Sequence, residues 1–254
     1  MAKLTNKRYL FEANATGVAG QIVQPFNEVV PVQAASALPV GGGFGSSRVD
    51  GFRHPKDVLS FSAAYTEVRG AEIEDGVFET VAVSVVENFN LLDVVKCDRI
   101  EARLVGTHPV PGENSIVSSG SVFLGLSIGD RFFDKVDVAP DYFSAPTHST
   151  WSGLLAAVEN DRERALLEPL ALRAPNGDLV SLMLSERKGL IGLCIARDVP
   201  QSFIVPDFGT VHLGEFFCQS TSRRLIMLRA ELTGEVQGQV VVGDPIVDGG
   251  PYPP

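Results

Sequence analysis

An all-β fold, mostly antiparallel and built as a sandwich or barrel, with one amphipathic helix around residues 150–168, is what this sequence predicts. Three observations predict it. Apolar and polar residues alternate with period 2 in one run after another, clusters of Gly, Pro, Asn and Asp separate the runs, and a single segment carries apolar residues at helical spacing instead.

Taken in chain order, residues 1–20 are rich in Gly, Asn and Thr and read as an extended N-terminal arm. Residues 243–254 read as its Pro/Gly-rich C-terminal counterpart. Ordering either arm costs backbone entropy, so each is expected to dock outside its own domain through Tyr9, Leu10 and Phe11, or through Ile246, Val247 and Tyr252. Between them, 21–242 reads as one β-rich domain, or as two related halves, 21–112 and 113–242.

Gly41-Gly42-Gly43 breaks the chain before the first clear strand, where Leu59, Phe61, Ala63 and Tyr65 share one face and Ser60, Ser62, Ala64 and Thr66 the other. Val81, Val83 and Val85 alternate with Thr80, Ala82 and Ser84 in a second strand, and Ile100, Ala102 and Leu104 with Arg99, Glu101 and Arg103 in a third. His108-Pro109-Val110-Pro111-Gly112 then forces a turn. Residues 130–138 read as a further strand. Trp151, Leu154, Leu155, Val158, Ala165 and Leu166 fall at helical spacing, with Ser149 or Thr150 to cap the start and Pro169 after the end. This helix reads as a cover for an open end or edge of the β core. Ala174-Pro175-Asn176-Gly177-Asp178 is the next turn, and a late strand sets Ile226, Leu228, Ala230 and Leu232 against Leu225, Met227, Arg229 and Glu231.

Two internal echoes accompany the pattern. Ser84 to Asp93 matches Ser121 to Asp130 in outline, and Phe44 to Gly70 aligns without gaps on Phe208 to Gly234. The stretch from Val83 to Leu104, followed by Ser119 to Gly129, resembles the β repeats of bacterial surface proteins with choice-of-anchor modules, and uncharacterised bacterial β-rich proteins. The resemblance spans about Val83 to Asp130 and implies no catalytic residue.

Charge and composition exclude several classes. With 31 acidic against 21 basic residues, a net charge of −10 opposes attraction to phosphate backbones and anionic lipid, so no nucleic-acid partner is expected. No apolar run has the length of a membrane span, and no membrane insertion is expected. Cys97, Cys194 and Cys218 are scattered among apolar neighbours and read as buried thiols, not as a disulfide framework or a zinc site. The start of the chain carries positive charge with no signal-peptide run after it, which gives the expectation of a cytoplasmic protein, or of one released or exported without a recognisable signal peptide.

Chemistry-bearing motifs are few. Gly125-Leu126-Ser127-Ile128-Gly129 fits a nucleophile elbow, yet that elbow needs a helix after the serine and a strand follows here, so Ser127 reads as structural. His54, His108, His148 and His212 select no Ser-His-Asp arrangement. Asp130, Asp134, Asp137 and Asp141 form an acidic series whose only metal reading is calcium, against the simpler reading of a solvated face. No cofactor motif occurs, and no cofactor is expected. The expectation is a non-enzymatic structural or interaction protein that forms a homo-oligomer through β surfaces and its terminal arms. One alternative is a β-scaffold binding module for a glycan or other small ligand, stacked on Trp151, Tyr142 or Tyr65. A serine hydrolase using Ser127 is the second.

Overall fold

A computed structural model describes residues 8–138, 149–159, 190–193, 202–218 and 221–252. Its strands are β1 Arg8–Gln24, β2 Glu28–Ala37, β3 Gly43–Arg53, β4 Leu59–Glu74, β5 Val77–Leu91, β6 Val95–Pro109, β7 Ser115–Val117, β8 Val122–Ile128, β9 Arg131–Asp137, β10 Leu190–Leu193, β11 Ser202–Val205, β12 Gly209–Cys218, β13 Arg223–Thr233 and β14 Gln237–Tyr252. Helix α1 is Trp151–Glu159. The strands form two antiparallel seven-stranded sheets: sheet A in the order β10-β12-β13-β14-β1-β2, with β11 also beside β12, and sheet B in the order β3-β4-β5-β6-β8-β9, with β7 also beside β6. Among the described residues each sheet keeps two edges, so the fold is a sandwich and not a barrel.

The segments expected to be terminal arms are strand over their described residues. β1 and β14 pair with each other from Arg8↔Tyr252 to Gln24↔Gln237, in the interior of sheet A. Tyr9, Phe11, Ala13 and Ala15 point into the core, with Val247 on the partner strand. The inward set is mostly Ala and Val, separated by Gly, Asn and Thr, and that mild alternation is masked by a composition typical of loops. The core they enter is one cluster joining both sheets, in which Ile22, Leu59, Phe89, Leu104, Phe123 and Phe216 are fully buried.

Both sheets carry a transverse crease. In sheet B the ladder fails to pair along Gly51, Ser62, Asn88, Asp98, Gly125 and Asp134, one residue on each of β3, β4, β5, β6, β8 and β9. In sheet A the corresponding row is Gly214, Met227, Gly243, Gly17 and Ala34 on β12, β13, β14, β1 and β2. Positive φ falls on alternate strands of each row: Gly51, Asn88 and Gly125 in one, Gly214, Gly243 and Ala34 in the other. Adjacent strands skip together, so the pairing beyond the crease resumes in step, while the face that each strand turns inward changes.

This face change corrects the sequence reading. Leu59 and Phe61 point inward, but beyond Ser62 the inward residues are Ala64, Thr66 and Val68, and Tyr65 lies on the outer face. In β5 the inward set is Phe78, Thr80, Ala82, Ser84 and Val86, then Phe89 and Leu91; Val81 and Val85 are buried on the other face, outside the core cluster. The inward Ser84 hydroxyl donates across the sandwich to Thr16 O at 2.9 Å, beside the crease in β1. In β13, Leu225 faces the core before the crease, Met227 is buried in the core at the crease itself, and Leu228, Ala230 and Leu232 follow, with Ile226 on the other side.

Helix α1 starts where expected: Thr150 Oγ1 accepts from Gly153 N at 3.2 Å. The Glu113 carboxylate accepts from Ser152 N at 2.7 Å and from the Ser152 hydroxyl, which places an anion at the positive end of the helix. Leu154 is buried in the core. The expected continuation, residues 160–168, and the turn at 174–178 lie outside the described residues. The internal echo from Phe44 to Gly70 lies on the β3–β4 hairpin of sheet B, and its partner, from Phe208 to Gly234, on the β12–β13 hairpin of sheet A. The 112/113 boundary falls between β6 and β7, within sheet B.

Candidate interaction surface

The flanks of the sandwich carry the most unusual surface. On one flank run β2 and β3, the outermost strands of sheets A and B. Val29, on β2, is 68% exposed, and Phe44, on β3, is 60% exposed. Pro31 lies in β2, the kind of residue that discourages further pairing at an edge. In β3, Val49 and Phe52 turn toward the core, and Phe52 stacks on Phe61 with ring centres 5.5 Å apart. Arg48 and Asp50 point outward and pair with each other at 2.6 Å.

On the opposite flank, β9 ends sheet B and β11 lies at the border of sheet A. Phe133 faces inward, edge-on to Phe203 at 5.8 Å, and the Arg131 guanidinium sits 5.5 Å from the same ring. Their neighbours point the other way: Phe132 is 66% exposed and Ile204 84%. Lys135 and Asp137 also point outward and pair at 3.0 Å. Among the described residues no strand pairs with the outer side of β3 or β9.

The broad outer faces are held differently, by ion pairs within the sheet. Tyr65 lies between Arg48 and Arg99, at 5.6 and 5.9 Å from its ring centre, and its hydroxyl accepts from Arg99 at 3.0 Å. Arg99 also binds Glu87 and Glu101. On sheet A, Arg224 binds Asp244 with two bonds, and Arg229 binds Glu215 with two more. The buried Arg223 guanidinium lies 6.0 Å from the Trp151 ring, and burial pushes its pKa down. Of the three rings named for a glycan, the two that are described are not bare: Tyr65 is flanked by two arginines, and half-buried Trp151 packs on the core beside Arg223. Tyr142 lies outside the described residues.

The residues singled out for catalysis and metal binding are dispersed. Ser127 sits in β8, paired with Lys96 on one side and Phe132 on the other, and a two-residue turn leads from β8 directly into β9. The helix that an elbow requires is absent at that point. Asp130 occupies that turn, and Asp134 and Asp137 lie along β9, where about 3.3 Å per residue spreads them out. Asp141 is outside the described residues, among which no group of three or more His, Cys, Asp or Glu could hold a metal. His54 is buried, accepts from Lys56 N at 3.3 Å through Nδ1, and places Nε2 3.3 Å from Glu28. His108 packs edge-on against Tyr9, and burial lowers its pKa. His212, beside Arg229, Glu215 and Glu231, is lowered by burial first and Arg229 second. His148 lies outside the described residues.

Sequence reasoning missed the flanks, because Phe132, Ile204 and Phe44 look like any other strand residues until the strand order is known. A family model described as "Domain of unknown function (DUF8256)" matches residues 9–167, a span that contains all of sheet B. No curated protein and no solved structure matches the chain.

Proposed function

The chain belongs to the DUF8256 family, and from that premise we propose that it is a non-enzymatic interaction protein whose partner is a further copy of itself, met through β surfaces at the flanks of the sandwich. The observation that carries this reading is the pair of strands β3 and β9, which among the described residues end sheet B with exposed Phe44 and Phe132. An unpaired strand edge presents a row of backbone donors and acceptors. Both edges carry charges, but these are paired within their own strands, Arg48 with Asp50 and Lys135 with Asp137, and Phe44 and Phe132 stay exposed. The terminal arms drop out of the expectation, because their described residues already pair with each other inside sheet A.

Light scattering on the purified protein over a range of concentrations tests the reading. The expected mass is a multiple of the 27.2 kDa chain. A constant 27.2 kDa throughout overturns it.

A further inference from the structure

We propose that β9 of one copy pairs antiparallel with β3 of the next, in a single register that the crease dictates, so that sheet B continues from copy to copy. This rests on the self-association reading above and names the surface and the register. The orientation follows from the strand order. Five antiparallel steps separate β3 from β9, so the two strands run in opposite directions, and a β3 set beside β9 extends the alternation.

The register follows from the rows. Above the crease, one continuous lateral row reads Asp50, Ala63, Glu87, Arg99, Leu124, Lys135. Below it, another reads Arg53, Ser60, Asn90, Lys96, Ser127, Phe132. Continued past β9, the first row sets Lys135 beside Asp50 of the next copy, and the second sets Phe132 beside Arg53. The two rows run in step, so a single condition fixes both: the crease of one copy lies in line with the crease of the next. Positive φ occurs on alternate strands, at Gly51 but not at Asp134, and Asp134 opposite the next Gly51 keeps that alternation.

The side chains match along this register. Lys135 meets Asp50, and Asp137 meets Arg48, so the two in-strand ion pairs become a four-charge ladder on the outer face. Val136 meets Val49 in the row that already runs through Ala64, Val86, Ile100 and Phe123 in the core. Phe133 meets Phe52 on the inner face, and the exposed Phe132 ring meets the Arg53 guanidinium. A register shifted by one residue would put Val136 against Asp50 or Arg48. The contact is heterologous, so repetition gives a ring or a filament.

Charge exchange tests it without removing either in-strand pair. In one variant Arg48→Asp is combined with Asp50→Arg; in the other, Lys135→Asp is combined with Asp137→Lys. Each variant alone is expected to fall to 27.2 kDa, at least a twofold drop in mass, and an equimolar mixture of the two is expected to recover the parent assembly. Circular dichroism checks that both fold. If either does not, oxidation of the double variant Asp50→Cys with Lys135→Cys is the second readout, with linked copies expected and their absence counting against the register. If the parent associates but neither exchange changes its mass, this interface is overturned while self-association stands. Dispersal without recovery on mixing overturns the register. A parent protein that stays at 27.2 kDa overturns both readings together.

Discussion

Arg229 grips Glu215 through two bonds of 2.6 Å each, on the outer face of sheet A, and the Glu215 side chain is only 1% exposed. Glu215 stands immediately after the crease residue Gly214, and the bond to its carboxylate is the largest influence holding the Arg229 pKa above its ordinary value. A carboxylate removed from water in this way depends on its partner. Arg229→Met should therefore cost about 3–5 kcal/mol in chemical denaturation, and adding Glu215→Leu should recover most of the loss. Equal stability of Arg229→Met and the parent would show that the pair contributes little.

The crease makes a backbone prediction. Gly243 has φ +65°, and an added Cβ would stand 3.1 Å from the Met227 side chain, its neighbour in the same row. Gly243→Ala should cost about 1–2 kcal/mol for the left-handed backbone, with crowding in addition. Asn88→Gly, at φ +49°, keeps the backbone and loses only the 2.8 Å bond to Ser62, so its unfolding midpoint should move much less.

The histidines set a pH dependence. Burial lowers the pKa of both His108 and His212, so the folded protein keeps them neutral below pH 6.5, the value from which they are lowered. Above that pH both states are neutral and stability is flat. As the pH falls below it the unfolded chain takes up protons first, and stability is lost until the folded-state values are passed. Thermal midpoints measured from pH 8 to pH 5 should show this decline, and His108→Asn with His212→Asn should flatten it.

Cys97 and Cys218 should be silent. Burial pushes the pKa of both the Cys97 and the Cys218 thiol up to about 12. Alkylation at pH 8 should leave both unmodified in the folded protein and label both in denaturant, as read by mass spectrometry of the peptides. Rapid native labelling of Cys97 would mean that β6 and β8 separate, because its Sγ lies 3.1 Å from Leu124 O.

Glu113 connects the β6–β7 turn to α1 by accepting from both Ser152 donors. Glu113→Ala should lower stability by about 1 kcal/mol, the usual cost of a lost helix cap, and Glu113→Gln should cost less. Identical unfolding curves for both variants would remove the cap from the account.

By itself the sequence determined the class of the fold, because the pleat gives every strand a period of two and that period is local. Ile100, Ala102 and Leu104 face inward and Arg99, Glu101 and Arg103 outward, as their alternation predicts. Thr150 starts the helix for an equally local reason, a side-chain acceptor beside an unpaired backbone donor. Only the tertiary structure decided which face of β5 is buried, because the changeover at Asn88 is one step of a row that five other strands complete. The same holds for β1, β3, β9 and β14. Whether a strand lies at the centre or the edge of a sheet depends on which distant segments pair with it, and nothing in its own period records that.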